Sequence, residues 1–313
     1  MTTLVRAPLR EVRSRIFDSA RWAGYQPRDG DVVIATYPKC GTTWTQRIVG
    51  MLLAGDAAPF AVHGPWFDFR LGPPVEASLA DAEAVVGRRY LKSHLPYDAL
   101  PVFEGVKFIH VARDGRDSAM SFHNHMFNFQ PGAVENMQQI SLADPKFGDR
   151  LPPTPADPAE YFGVWLSDGG AVGDPGASYW EMERSYWAAR RDPNMLLVHY
   201  NDLKADRAGE IARIARFLDV DVAPATMHDI VEAAGFEEMK KNGEALMPHA
   251  EMAWVGGSQT FLHKGTNGRW QGVCSEADLA RYQAKVAAEF TPSLAAWLEG
   301  GRLVAGDPVA SGD

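Results

Sequence analysis

The chain has 313 residues, of which 46% are hydrophobic and 23% are charged, and its formal net charge is −9. This composition excludes an intrinsically disordered chain, and the length allows one large hydrophobic core. The acidic balance and the lack of a long run of Lys and Arg argue against sequence-independent binding to nucleic acid, which needs clustered cations. A local basic pocket for a phosphorylated small molecule is compatible with this charge.

Cysteine content and the amino-terminal segment indicate where the protein resides. Two cysteines, Cys40 and Cys274, are too few for a disulfide framework and favour a reducing compartment. The first residues lack an apolar core of signal-peptide length, and no apolar run approaches the length of a membrane span. We therefore expect a cytoplasmic protein without a membrane partner.

Three strand–helix units follow one another along the chain, each with a short β-branched apolar run before a helix-like segment. The predicted strands cover 31–37, 108–112 and 195–200, and the helices after them begin at Thr42, from Asp117 onward and near residue 208. A further short strand, from residue 88, leads into Lys92. Strands that alternate with helices predict an α/β fold with a mainly parallel sheet flanked by helices.

We interpret residues 1–313 as a single domain, because no internal repeat or low-complexity linker interrupts the sequence. Residues from about 303 to 313 are expected to be a flexible tail. Two stretches, 127–177 and 242–260, are expected to be irregular; the first is rich in Gly, Pro and Asp. Long loops in compact enzymes are usually lids, binding loops or disordered segments.

The first strand–helix turn has the character of a P-loop-like phosphate-binding turn. Gly41 lets the backbone approach an anion closely, Thr42 and Thr43 offer hydroxyl groups, and Lys39 adds a charge. The nucleoside-triphosphatase pattern G-x-x-x-x-G-K-[ST] is missing, because the Lys precedes the only Gly. We found no convincing acidic magnesium site. The alternative interpretation is an ordinary strand–helix turn with a surface Lys.

A second candidate group is Lys92 and His94. Histidine is the usual side chain for accepting a proton near neutral pH, and Lys92 lies on the same side of an extended chain as His94. Taken alone, the pattern is more typical of a solvated strand end without a function.

Two further segments indicate anion binding. Arg113 ends the second strand and Ser121 lies on the helix after it; an Arg binds phosphate as a rigid fork. The segment 263–270 places two glycines beside a Lys and an Arg. A salt-bridged corner and a surface turn are the structural alternatives for these two segments.

Together, the motifs resemble the cytosolic-type sulfotransferase family. The matching segments, in family order, are YPKCGTTW, LKSHLP, VARDGRDSAMSF, HYNDLKAD, GFEEMKKN and HKGTNGRW. They extend from about residue 31 to 270, which is most of the chain. The resemblance implies transfer of a sulfuryl group from 3′-phosphoadenosine 5′-phosphosulfate (PAPS) to a hydroxyl or amine of a small molecule, with no metal.

The resemblance also implies roles for individual residues. His94 would take the acceptor proton, Lys39 would stabilise the leaving oxygen and Lys92 the sulfuryl oxygens, and Ser121 would position Lys39. Donor binding would fall to Lys39, Cys40, Gly41, Thr42, Thr43, Trp44, Arg113, Ser121, Tyr200, Phe236, Met239, His263, Lys264 and Gly265. Core packing is the alternative for the aromatic members of this set.

The chain departs from the family pattern at several positions. Cys40 stands where Ser is usual, His263 replaces an Arg of the phosphate loop, Gly235 replaces a Ser and Arg269 replaces an Asp. We expect His263 to bind the 3′-phosphate more weakly or in a pH-dependent way. The short dimer motif of many relatives is not recognisable, so both monomer and homodimer stay open.

An apolar acceptor pocket is expected from Trp66, Phe67, Phe69, Phe122, Phe127 and Phe129, although any single one of them is more typical of core. The two rival functions are a P-loop kinase and a nucleotide-binding regulator without catalysis. A P-loop kinase would need the glycine–lysine signature, which is missing. A regulator would lack a proton acceptor such as His94, which is present.

Overall fold

A computed structural model describes residues 2–58, 60, 64–170 and 178–313. Its centre is a four-stranded parallel sheet with strand order β3-β2-β5-β6. A two-stranded antiparallel ribbon joins β1 to β4. The strands are β1 (Leu4–Arg6), β2 (Val32–Ala35), β3 (Tyr90–Ser93), β4 (Val102–Phe103), β5 (Lys107–Ala112) and β6 (Met195–His199).

Helices cover both faces of the sheet. Within the described ranges they are α1 (Thr42–Ala54), α2 (Val75–Ala84), α3 (Gly115–Phe127), α4 (Pro131–Ala143), α5 (Pro158–Asp168), α6 (Tyr179–Ala188), α7 (Tyr200–Ala205), α8 (Arg207–Phe217), α9 (Pro224–Ala233), α10 (Phe236–Lys241), α11 (Gly243–Leu246), α12 (Ala250–Ala253), α13 (Gly257–Phe261), α14 (Glu276–Glu289), α15 (Pro292–Gly300) and α16 (Arg302–Ala305). Short 3-10 helices lie at Ser19–Gly24, Tyr97–Ala99 and Pro308–Ala310.

Strand β2 is buried on both sides, which is why its four residues are all apolar. Val33 and Ala35 face a core that includes many aromatic side chains, whereas Val32 and Ile34 face an aliphatic core with α1 and α8. Alternate residues of a strand point to opposite faces, so each face needs its own apolar layer. The predicted α/β fold with a parallel sheet between helices is confirmed.

The carboxyl edge of the sheet is where the chain turns from strand to helix. β2 is followed by α1, β5 by α3 and β6 by α7, and β2 pairs with β3 on one side and β5 on the other. In open α/β sheets the crevice beside such a strand is the usual place for a ligand.

The structure differs from the irregular segments expected from sequence. Helices α4 and α5 occupy much of 127–177, and α11, α12 and α13 occupy much of 242–260; residues 171–177 lie outside the described ranges. Pro131, Asp157 and Pro158 begin these helices, because Pro at the first helical position and Asp at the cap satisfy or remove the free amides there. The prediction of irregular structure was wrong here because Pro and Asp are typical of helix starts as well as of loops.

The end of the chain, expected to be a flexible tail, is packed against the protein. Pro308 is buried, and its carbonyl accepts a hydrogen bond from the Arg190 Nε at 3.0 Å. The Asp313 carboxylate accepts one from the Ser293 backbone amide at 3.1 Å. These contacts hold the last residues beside α6 and α15.

A buried ion pair joins the starts of two neighbouring strands. The Arg89 Nε lies 3.0 Å from the Asp31 Oδ1, and both side chains are 1% exposed. Arg89→Ala should lower the free energy of unfolding by about 3–5 kcal/mol, because it leaves a buried carboxylate without its cation. Urea denaturation followed by circular dichroism measures this loss.

The matched control is Lys241→Ala, which removes an ion pair with Glu238 that is largely exposed. Such surface pairs contribute little to stability, so the urea midpoint should hardly change. A midpoint for Arg89→Ala as high as that of the control would contradict the importance of the buried pair.

Candidate active site

A cavity of about 580 Å³ opens at the carboxyl edge of the sheet. It brings together every site residue predicted from sequence except Cys40. The Cys40 side chain is fully buried instead, with its Sγ 3.2 Å from the Ser118 Oγ. Its backbone amide donates to the Tyr37 carbonyl at 3.3 Å, so Cys40 shapes the turn rather than facing the cavity.

The turn between β2 and α1 presents amide groups to one end of the cavity. The first amides of a helix have no partner within that helix and carry its positive dipole end. Gly41 has φ of 115°, a conformation that favours glycine, and a β-carbon there would lie 3.2 Å from the Tyr200 ring. The Thr42 hydroxyl is already paired with the Thr36 hydroxyl at 2.5 Å. Thr43 and Lys39 also line this end.

Arg113 is held rigidly beside the turn. Its guanidinium donates to the Asn267 side-chain oxygen at 2.8 Å and to the Thr266 carbonyl at 3.0 Å, and it lies 4.1 Å over the Tyr200 ring. These contacts orient a guanidinium that still lines the cavity. The geometry is suited to a phosphate, which a fixed planar fork recognises well.

The loop that carries Lys264 and Gly265 also lines the cavity, and it contacts Arg113 through Thr266 and Asn267. The Lys204 Nζ donates to the Gly265 carbonyl at 2.9 Å, and the Asp117 carboxylate accepts from the Gly268 amide at 2.7 Å. Gly265 lies so close to Phe236 that a β-carbon would come within 2.5 Å of its ring. A glycine is required there for this contact.

Flat and apolar side chains form the wall beside this loop. Trp44 packs edge-on against Tyr200 with ring centroids 5.4 Å apart, and its indole donates to the Ala234 carbonyl at 2.8 Å. Phe236 and Met239 complete the wall. Such surfaces are suited to one face of a purine or another flat ring.

His94 is placed to accept a proton. Its Nδ1 lies 2.5 Å from the Thr36 carbonyl oxygen, and because a carbonyl can only accept, Nδ1 must carry the hydrogen. The neutral ring then has its lone pair on Nε2. Burial, with the nearby charges of Lys92 and Lys39, holds the pKa of His94 well below its ordinary value, so the ring is neutral.

A buried carboxylate organises the surroundings of His94. The Asp68 Oδ2 accepts from the His94 backbone amide at 3.1 Å and from the Trp66 indole at 3.0 Å, and Oδ1 accepts from Trp22 at 3.0 Å. The Lys92 Nζ lies 3.5 Å over the Trp66 ring. Sequence reasoning missed Asp68, since a single Asp between aromatics carries no recognisable motif.

Lys39 and Lys92 lie in the same cavity, where their charged forms are poorly solvated. Burial and the neighbouring charges of Lys92 and Arg113 lower the pKa of Lys39 to about 7. Burial lowers the pKa of Lys92 to about 8, against the opposing effect of Asp68. None of the described residues that line the cavity is an Asp or a Glu. An anion entering the cavity would therefore favour the charged lysines.

The other end of the cavity is aromatic. Trp66, Phe69, Phe122 and Phe129 line it, as expected. Phe67 is instead buried against Trp22 and Tyr25, and Phe127 is half exposed outside the cavity. Residues that sequence reasoning missed complete this end: Ile16, Phe17, Leu71, His125, Met137, Trp254 and Phe261.

These geometric features have a counterpart in known proteins. A family model described as "Sulfotransferase domain" matches residues 29–293, and the chain therefore belongs to the sulfotransferase family. It is an enzyme of the transferase class that moves sulfuryl groups.

Two curated relatives illustrate the similarity. A "Glycolipid sulfotransferase" of Mycobacterium bovis is 30% identical over 93% of this chain and 94% of its own length. "Sulfotransferase 1A1" of Rattus norvegicus is 28% identical over 83% of this chain and 84% of its own.

Solved structures share the fold at lower identity. Mouse sulfotransferase SULT7A1 complexed with PAP has a TM-score of 0.64 and 19% identity, covering 88% of each chain. Retinol dehydratase in complex with androsterone and inactive cofactor PAP has a TM-score of 0.63 and 22% identity, covering 93% of this chain and 90% of its own.

No helix among the described residues is long and apolar enough to cross a membrane. No group of three or more His, Cys, Asp and Glu side chains in the same ranges is arranged to hold a metal ion.

The lowered pKa of Lys39 can be measured directly. We expect the Nζ nitrogen of Lys39 to titrate near pH 7, as its pKa of about 7 requires. Lys92→Met should raise that pKa, because among the neighbouring charges that of Lys92 lowers the Lys39 pKa most. NMR titration of lysine Nζ shifts, with Lys39→Met to identify the signal, measures both values. A Lys39 that titrated only near the ordinary lysine value of about 10.4 would contradict the burial argument.

Proposed function

We propose that this sulfotransferase moves the sulfuryl group of PAPS to a hydroxyl of an apolar, aromatic small molecule, with His94 as the general base. The observation that supports the proposal most strongly is the division of one cavity into two ends. One end has fixed amides and the cations Arg113 and Lys264, the other end is aromatic, and the Lys39 amine lies against His125 and Phe261. Lys92 and His94 lie where the aromatic end meets the cations.

The cationic end fits a nucleotide that carries more than one anionic group. In the proposal, the amides after Gly41 bind the 5′-phosphosulfate, and Arg113, Ser121 and Lys264 bind the 3′-phosphate. Trp44, Tyr200, Phe236 and Met239 would contact the adenine. The mouse sulfotransferase and retinol dehydratase structures are complexes with PAP (3′-phosphoadenosine 5′-phosphate), which supports this choice of nucleotide.

The transfer is an in-line displacement. The acceptor oxygen forms a bond to sulfur while the bond from sulfur to the 5′-phosphate oxygen breaks, and PAP leaves. The acceptor proton passes to the Nε2 of His94. Negative charge grows on the leaving oxygen, where Lys39 and the helix amides stabilise it. Lys92 stabilises the sulfuryl oxygens.

The aromatic end favours a neutral acceptor over a protonated amine. No carboxylate lines the cavity in the described ranges, while seven Lys and Arg side chains do: Lys39, Lys92, Arg113, Lys204, Arg207, Lys264 and Arg269. A cationic acceptor would meet repulsion without a compensating anion. The curated relatives include a glycolipid sulfotransferase, whose name describes an acceptor with an apolar part.

The donor is tested by thermal shift. PAP should stabilise the protein clearly more than ATP with magnesium, because stabilisation follows affinity for the folded state. A screen of phenols, apolar alcohols and amines with labelled PAPS then identifies the acceptor class. Equal or greater stabilisation by ATP with magnesium would contradict the proposed donor.

The base is tested by His94→Ala. Turnover should fall by about two to four orders of magnitude while PAP affinity is retained, because one positioned acid–base group contributes that much. Turnover is measured with labelled PAPS and PAP affinity by calorimetry. His123→Ala, at a position outside the cavity, is the matched control and should keep its activity. Near-normal turnover in His94→Ala would remove His94 from the mechanism.

His263 makes the 3′-phosphate contact dependent on pH. It lines the cavity, and burial with the charges of Arg269 and Lys264 lowers its pKa in the free protein. A bound phosphate would raise that pKa, so binding favours the protonated ring. Affinity is then greatest at low pH and is lost as pH rises through the pKa of the bound His263.

The measurement compares PAP with adenosine 5′-phosphate, which lacks the 3′-phosphate, by calorimetry from about pH 6 to about pH 8.5, a range around the ordinary His value. The affinity ratio of the two ligands should fall as pH rises. His263→Arg should flatten this dependence, since an Arg keeps its charge. The same slope in both proteins would exclude a charge role for His263.

A further inference from the structure

His125 is a titratable group of the cavity to which neither the sequence motifs nor the mechanism above gives a role. It lies on α3, one helical turn after Ser121, and its ring lines the cavity. Four aromatic rings surround it, with centroid distances of 6.1 Å to Phe122, 5.1 Å to Phe129, 4.9 Å to Trp254 and 5.6 Å to Phe261. The Trp254 indole also donates to the His125 carbonyl at 3.2 Å, which fixes the backbone beside the ring.

Lys39 reaches into this aromatic cage. Its Nζ lies 3.4 Å from the His125 Nδ1 and 3.9 Å from the centroid of the Phe261 ring. The amine therefore rests at the acceptor end of the cavity. The backbone of Lys39 belongs to the turn between β2 and α1. Its side chain can therefore reach either end of the cavity.

The chemistry of this contact determines the tautomer of His125. A lysine amine in its charged form has only hydrogens to donate, so whenever Lys39 is charged the His125 Nδ1 is the acceptor and lacks a hydrogen. The neutral ring then carries its hydrogen on Nε2. This is the opposite tautomer to that of His94, whose Nδ1 donates to the Thr36 carbonyl.

The surroundings keep His125 neutral and able to accept. The titratable groups that act on it are the cations Lys39 and Lys92 and the neutral ring of His94, and no Asp or Glu lines the cavity in the described ranges. Burial and the two cations hold the pKa of His125 well below its ordinary value. A lone pair on Nδ1 is consequently available to Lys39 at neutral pH.

We propose that His125 is a positioning residue for Lys39: it binds the Lys39 amine through Nδ1 in the free enzyme and releases it when the donor occupies the cation-lined end. The release rests on the proposed function, because it needs an anionic nucleotide at the turn. Donor binding then moves the Lys39 amine away from the acceptor end. The lone pair on the His125 Nδ1 is left facing the acceptor end. Occupation of the two ends is thereby coupled through one side chain.

The contact is tested first in the free protein, without any ligand. In NMR spectra that report imidazole nitrogens, with His125→Gln to identify the signals, Nδ1 of His125 should appear unprotonated and Nε2 protonated. Lys39→Met should shift the Nδ1 signal, and so should saturating PAP. A protonated Nδ1, or a signal that Lys39→Met leaves unchanged, would overturn the contact.

The release is tested by PAP affinity, measured by calorimetry at about pH 7, near the middle of the Lys39 titration. His125→Phe keeps an aromatic ring but removes the acceptor that competes for Lys39. PAP should bind about fivefold more tightly to this variant, the fold-change expected from one hydrogen bond that no longer has to be broken. His125→Gln, which keeps an acceptor oxygen, should bind PAP as the wild type does.

A double-mutant cycle separates this effect from packing. In a Lys39→Met background, His125→Phe should leave PAP affinity unchanged, because the competing amine is gone. Weaker binding by His125→Phe, or the same tightening in the Lys39→Met background, would overturn the proposal. If wild-type protein did not bind PAP at all, the proposed function and the release would both fail, while the NMR comparison would still decide the contact.

Discussion

The site depends on the parallel pairing of β2 with β3 on one side and β5 on the other. This register places Ala35 opposite both Ser93 and His110. Because parallel strands end at the same edge of a sheet, the residues that follow them meet there, however far apart they are in sequence. Lys39, His94 and Arg113 thus come together at the start of α1, where helix amides already favour an anion.

Such a meeting of cations is unfavourable until a ligand compensates it. Lys39 and Lys92 are partly buried, and their pKa values fall to about 7 and about 8 because charge is poorly solvated there. A lysine that loses its proton no longer repels the neighbouring cations. Near neutral pH this deprotonation costs little free energy, because the pKa values are close to the pH. The free cavity tolerates its own charges in this way, and a bound anion would restore them where they act on the reaction.

The aromatic end has a different effect, because its side chains orient the polar groups of the cavity. Asp68 ties the His94 backbone to the indole of Trp66, and Trp66 carries Lys92 on its face. His125 and Phe261 receive Lys39 from the other side. Each of these polar side chains therefore rests on an aromatic neighbour, which limits its rotamers.

The local motifs were legible in the sequence because each depends on residues close in the chain. The strand before the turn, Gly41, Lys92 beside His94, and Arg113 at a strand end follow from short-range patterns, and they predicted the α/β fold and most of the cavity. Only the tertiary structure decided which aromatics line the cavity, that Cys40 points away, and that His125 meets Lys39. Those contacts join distant segments whose approach depends on packing, and an aromatic side chain has the same local signature in a core as in a pocket.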